Sequence, residues 1–224
     1  MAAERKFDII LFDLEGTLVD FQWRLNDAVK EILQVLVNAG IDPAIYGQAP
    51  SYAGLYNTTR DITDVWKMAD SKCLFDRLAV IYERYDWDAL SRWAPYPDTG
   101  EILARLSDCG YRMGVVSNCG AHASETVLKK FGIAGHFEII LSRNDVEYLK
   151  PRPESLKLAL KKLCAPADRT LFVGDSLNDI LAADRVSVAS CFLSGGESLV
   201  TGEYADIATF QISSLSMLSD ILIQ

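Results

Sequence analysis

Along most of the chain the apolar residues fall in short continuous runs rather than in alternation. Residues 7–12, 111–116 and 170–174 are three such runs, and each ends in reactive polar residues: Asp13, Ser117-Asn118 and Asp175. Hydrophobicity that is continuous rather than alternating predicts strands covered on both faces, as in a parallel sheet. The same pattern predicts further strands at 137–141, 186–192 and 207–210. Helical spacing predicts helices over 101–108, 121–131, 153–163 (with Pro153 at its tolerated first turn), 175–183 and 213–223. Strands alternating with helices at these intervals predict an α/β fold with a doubly wound parallel sheet.

Residues 21–94 break that rhythm. Leu25, Ala28, Val29, Ile32, Leu33 and Leu36 recur at helical spacing, as do Leu74, Leu78, Ile81, Tyr82 and Tyr85, and all four tryptophans lie in this stretch. A helical insert is expected here, with the chain re-entering the sheet domain at Pro95-Tyr96-Pro97. The expected division is therefore a core of 1–20 with 95–224, and a helical cap of 21–94.

Composition narrows the partners. With 31 acids against 22 bases the formal net charge is −9, which argues against a nucleic-acid or anionic-membrane surface. The five cysteines are scattered, odd in number and lack a Cys-x-x-Cys pair, so buried free thiols in a reducing compartment are expected. The N-terminus runs into the first strand without a leader-like stretch, and no segment approaches the roughly 18 apolar residues of a membrane span. A cytoplasmic location is the expectation.

Candidate chemistry follows from the strand ends. In an open parallel sheet, ligands bind beyond the carboxyl ends of the strands, which brings Asp13, Ser117-Asn118 and Asp175 to one place. Asp175 and Asp179 lie four apart at a helix start, and Lys150 is biased towards an extended conformation by Pro151. Carboxylates about 4 Å apart repel by roughly 4 kcal/mol per pair at an effective dielectric near 20. A cluster of Asp13, Glu15, Asp175 and Asp179 with one lysine therefore calls for a divalent cation, and an all-oxygen set suits Mg²⁺. Metal and Lys150 together would admit a phosphate dianion to Asp13.

With these residues in view, the sequence resembles the haloacid dehalogenase superfamily, and within it the phosphoglycolate-phosphatase group with a helical cap on a Rossmann-like core. The resemblance rests on four motifs in order: Asp13-Leu14-Glu15-Gly16-Thr17-Leu18, Val115-Val116-Ser117-Asn118, Lys150-Pro151-Arg152-Pro153-Glu154, and Gly174-Asp175-Ser176-Leu177-Asn178-Asp179. It implies that Asp13 attacks phosphorus to form an aspartyl-phosphate. It implies that Mg²⁺ is held by the Asp13 carboxylate, the Glu15 carbonyl and Asp175, with Asp179 in support through water or Lys150. It further implies that Ser117 and the Asn118 amide hold phosphoryl oxygens, and that Lys150 neutralises developing charge. Glu15 would act as acid to the leaving oxygen and then as base to water. The group's phosphatases usually carry Asp there; enolase-phosphatases carry Glu, and dehalogenases carry no acid, so Glu15 counts against dehalogenation.

The expected activity is hydrolysis of a small phosphorylated metabolite. A phosphosugar mutase, or a catalytically weakened binding or regulatory protein, remains open. Arg60, expected in a loop-like stretch of the cap, is the base chosen to meet an anionic substrate, beside the plainer reading of a solvated surface arginine. Asp20 is expected to cap a helix starting near Phe21. Ser176 and Asn178 are expected as helix-start hydrogen-bonders, and His122 and His136 as surface or helix-end residues.

Overall fold

A computed structural model describes residues 5–66, 71–195 and 207–223; of Trp66 it describes only the backbone. Six strands, β1 (Ile9–Phe12), β2 (Arg112–Val116), β3 (Ile139–Leu141), β4 (Thr170–Gly174), β5 (Ala189–Leu193) and β6 (Phe210–Ile212), form one sheet in the order β3-β2-β1-β4-β5-β6. Every pairing is parallel. β1 and β4 are buried along their whole length, which is the physical meaning of their unbroken apolar runs.

The alternation of side chains across the pleat sorts the core into two layers. Ile10, Phe12, Met113, Val115, Leu171 and Val173 face one way, against α4 (Thr99–Asp108), α5 (Ala121–Lys130) and α8 (Leu218–Leu222). Ile9, Leu11, Val116 and Phe172 face the other way, against α6 (Glu154–Leu163) and α7 (Leu177–Asp184). The doubly wound α/β expectation is met. The last expected strand lies a few residues later, at Phe210–Ile212, and the closing helix shortens to α8 after a 3-10 turn at Leu215–Met217.

Between β1 and α4 the described elements are all helical: α1 (Leu25–Asn38), a 3-10 turn at Pro43–Tyr46, α2 (Tyr52–Trp66) and α3 (Ser71–Leu90). Ala28, Ile32 and Leu36 of α1 pack with Leu74, Leu78, Ile81 and Tyr82 of α3, the two apolar stripes legible in the sequence. The outgoing and returning chains lie side by side, with Val19 bridged antiparallel to Pro95 and the Asp20 N–H donating to the Ala94 carbonyl at 2.9 Å. Asp20 is not a helix cap. α1 starts at Leu25, and the Asp20 carboxylate instead accepts the Ala94 N–H at 2.7 Å, tying the two connections together.

All five cysteines are free, but Cys73 and Cys164 are exposed, so the expectation of buried thiols holds fully only for Cys119 and Cys191. Among the described residues no helix is long and apolar enough to cross a membrane.

Candidate active site

Three strand ends and one loop build the site. The Asp13 N–H extends the ladder by donating to the Val173 carbonyl at 2.8 Å, which fixes its carboxyl at the end of β1. The chain then turns tightly, with the Gly16 N–H donating to the Val19 carbonyl at 2.7 Å. Gly16 has φ of +81°, and a Cβ there would lie 2.2 Å from Asp175 Oδ2. Glycine is therefore required twice, for its left-handed conformation and to let this turn close on the acid from β4. Thr17 donates its hydroxyl to Asp175 Oδ1 at 3.4 Å.

Asp13, Asp175 and Asp179 offer carboxylate oxygens that all lie within 4.8 Å of one another, and all three residues are buried. Lys150 enters from the loop before α6. Its ammonium donates to Asp13 Oδ1 at 2.5 Å, Asp179 Oδ1 at 2.6 Å and the Val116 carbonyl at 2.8 Å. That satisfies all three donors of the group. Burial pushes Asp13 up to about 7, against the pull of Lys150 and with the help of Asp179. Burial works against the Lys150 charge as well, but Asp13 and Asp179 outweigh it and hold the ammonium above its ordinary value.

Three buried carboxylates thus gather around one ammonium. The donors are hard oxygens with no thiol or imidazole among them, which fits a divalent cation of the Mg²⁺ type. The three acids differ in what they can offer. Asp179 is largely spent: besides Lys150 on Oδ1, its Oδ2 accepts the Ser176 N–H at 3.1 Å and the Ser176 hydroxyl at 2.5 Å, a capping box opening α7. Asp175 lies against the Gly16 turn and accepts the Thr17 hydroxyl on Oδ1. Ser176 is thus a helix-start residue, as its sequence position indicated.

A cleft of roughly 610 Å³, open mouth included, is lined by Asp13, Asp179 and Lys150 of this cluster, but not by Asp175. Glu15, Ser117 and Asn118 line it too, as do Phe21, Trp23 and Tyr52 from the segment between β1 and α4. Ser117 Oγ accepts the Cys119 N–H at 3.0 Å, which leaves its proton to donate. The Asn118 side chain does not reach for a ligand; its Oδ1 accepts the Lys150 N–H at 2.9 Å and its Nδ2 donates to the Lys150 carbonyl at 3.1 Å. Glu15 lies half-buried in the cleft wall, and its charge joins burial and Asp86 in pushing the Cys119 thiol up.

Arg60 stands apart. It belongs to α2, not to a loop, and does not line the cleft. Its guanidinium lies 3.7 Å from the centre of the Phe75 ring and donates to Tyr56 Oη at 3.2 Å, so an aromatic face explains it without a substrate. His122 packs on Trp87, and His136 shares a hydrogen bond with Ser107 at 2.9 Å; neither lines the cleft.

Asp86 and Arg143 did not stand out in the sequence. Asp86, buried in α3, accepts hydrogen bonds from Trp23 Nε1 at 3.0 Å, Gly120 N–H at 3.1 Å and Arg143 Nη2 at 2.7 Å. Arg143 also donates to Tyr52 Oη at 2.6 Å, and Tyr52 in turn donates to the Asn118 carbonyl at 2.9 Å. One signal was available for Asp86: it follows Tyr82 by four residues, on the apolar stripe of its helix.

The fold and this cluster define a class: an α/β protein with an acidic, lysine-braced pocket at the carboxyl edge of a parallel sheet. The haloacid dehalogenase-like hydrolase family model matches residues 10–193, and the chain belongs to that family. A phosphoglycolate phosphatase of Neisseria gonorrhoeae is 32% identical over 213 residues, covering 92% of this chain and 85% of that protein. The pyrophosphatase PpaX of Oceanobacillus iheyensis is 26% identical over 181 residues, covering 80% and 79%. A crystal structure of a predicted phosphoglycolate phosphatase from Haemophilus somnus superposes with a TM-score of 0.66 at 24% identity, covering 96% of this chain and 98% of that one, a likeness of fold. Within the family the chain stands with the phosphatases of the phosphoglycolate-phosphatase-like group.

Proposed function

We propose that the protein is a Mg²⁺-dependent phosphatase of a small phosphorylated metabolite, working through an aspartyl-phosphate on Asp13. The observation that carries this reading is the group of three buried carboxylates around one fully engaged lysine, two of which, Asp13 and Asp179, line a cleft. Asp13 and Asp175, with the Glu15 carbonyl, would hold the metal, and Asp179 would act by orienting Lys150. When bound, the cation would neutralise the carboxylates and admit a phosphate dianion.

Asp13 would attack phosphorus as the P–O bond to the leaving alcohol breaks, with Glu15 giving that oxygen a proton. Water, deprotonated by Glu15, would then open the acyl-phosphate and restore the Asp13 carboxylate. Ser117 and the Asn118 main-chain N–H would hold the phosphoryl oxygens, and Lys150 would meet the charge that builds on them. Residues 21–94 would serve as the cap, and 1–20 with 95–224 as the catalytic core. Phosphoglycolate, named for the Neisseria relative, is the first substrate to try.

Incubation with p-nitrophenyl phosphate and Mg²⁺ tests the reading. Release of p-nitrophenol is expected, lowered on the order of a thousandfold or more by Asp13→Asn. No release, or equal release from the variant, would refute it.

A further inference from the structure

Two carboxamides grip consecutive residues of the Lys150 loop, and one of them comes from the helical insert. Asn118, after β2, exchanges both main-chain hydrogen bonds with Lys150, at 2.9 and 3.1 Å. Asn57, in α2, does the same to Leu149: its Oδ1 accepts the Leu149 N–H at 2.8 Å, and its Nδ2 donates to the Leu149 carbonyl at 2.9 Å. Asn57 is buried in the middle of a helix, where a polar amide is costly unless both ends are satisfied. The Leu149 backbone satisfies both.

The contact continues along one stripe of the helix. Asp61, one turn on, pairs with Arg152 at 2.7 Å, and Asp64 accepts from Tyr148 Oη at 3.3 Å. Positions 57, 61 and 64 share a helix face, and together they meet residues 148, 149 and 152 on either side of Lys150. The outer two contacts are exposed and weak. Asn57 is the buried one.

We infer that Asn57 is a positioning residue, which places the Lys150 ammonium by clamping the Leu149 backbone and so makes a competent site depend on α2 being seated. This rests on the reading of Lys150 as part of the reacting site. The Lys150 ammonium is held at three points within 2.8 Å. A main-chain shift of about 1 Å at Leu149 would break that set, and misplacements of this size cost up to about a hundredfold in rate.

The test is Asn57→Asp, which keeps the acceptor for the Leu149 N–H but sets a carboxylate against the Leu149 carbonyl, with Asn57→Ser as a second, smaller variant. Each is compared with wild type in p-nitrophenyl phosphate turnover and in amide hydrogen exchange of the segment 146–152. Asp64→Asn, on the exposed end of the same stripe, is the control and should keep wild-type kcat. The expected result is kcat lowered roughly tenfold to a hundredfold, KM changed less than about threefold, and faster exchange at Leu149 and Lys150 with the rest of the protein protected as before. Unchanged exchange in the segment, or unchanged kcat with faster exchange, would overturn the inference. If wild type itself releases no p-nitrophenol, the phosphatase reading fails first; exchange alone then decides whether Asn57 holds the loop.

Discussion

Two buried cations hold this molecule together at neighbouring places, and they are partnered in opposite ways. Arg143 meets one carboxylate, Asp86, which also accepts from Trp23 and Gly120, so the two charges pair one to one. Lys150 meets two carboxylates, with a third close by. The balanced pair joins the helical segment to the sheet, with Asp86 and Tyr52 on one side and Arg143 and Asn118 on the other. The second group gathers three acids around one lysine at the strand ends. Carboxylates crowded and buried in this way favour a proton or a cation among them, a demand the one-to-one pair does not make.

Removing each cation should break the comparison in different ways. The largest effect is expected from Lys150→Met: turnover of p-nitrophenyl phosphate falls a hundredfold or more (a loss of about 3 kcal/mol in transition-state stabilisation) while Mg²⁺ restores part of the stability lost. Arg143→Met should show the reverse. Stability falls by about 3–5 kcal/mol because Asp86 is left buried and unpaired, Mg²⁺ recovers none of it, and kcat changes less than about tenfold. Urea denaturation with and without Mg²⁺ reads both, and equal Mg²⁺ rescue of the two variants would erase the distinction.

Acid sharpens the same contrast. Without metal, burial pushes Asp13 up to about 7 from an ordinary 3.8, so between those values the folded protein holds a proton that the unfolded chain releases. Its contribution to stability is therefore present at low pH and lost as the pH rises through about 7. Mg²⁺ competes with that proton. Its apparent affinity, measured by calorimetry, should be flat above pH about 7 and fall about tenfold per unit below it, and Asp13→Asn should abolish this slope. The smallest effect is expected at Glu15. Glu15→Asp withdraws the carboxyl by one C–C bond, about 1.5 Å, and kcat should drop about tenfold; a rise would mean that the longer acid impairs the site.

Much of this was legible in the chain, for identifiable reasons. The buried strands announced themselves because both faces of β1 and β4 are covered, so no polar residue interrupts them until Asp13 and Asp175. α2 was harder. Its buried positions include Asn57, Thr59 and Thr63, so no apolar stripe marks it, and the stretch around Arg60 reads as a loop. Thr59 returns its hydroxyl to the Leu55 carbonyl of its own helix at 2.7 Å, whereas Asn57 spends its amide on Leu149, 92 residues on, a partner that nothing local reveals. Arg143 was hidden for a related reason. Its meaning depends on Asp86, 57 residues earlier, and nothing local connects them.

The paired connections at Val19–Asp20 and Ala94–Pro95 have a consequence for how such a chain can change. The helical segment leaves and returns through one narrow neck, stitched by the Asp20 carboxylate and main chain to Ala94. Everything beyond the neck is a parenthesis in the sheet's sentence: residues can be added or lost inside it while β1 still meets β2 in the same register. Asn57, Tyr52 and Asp86 set limits to that freedom, because they reach back across the opening to Leu149, Asn118 and Arg143. Most of the segment can thus be rewritten, provided such buried handholds keep their reach.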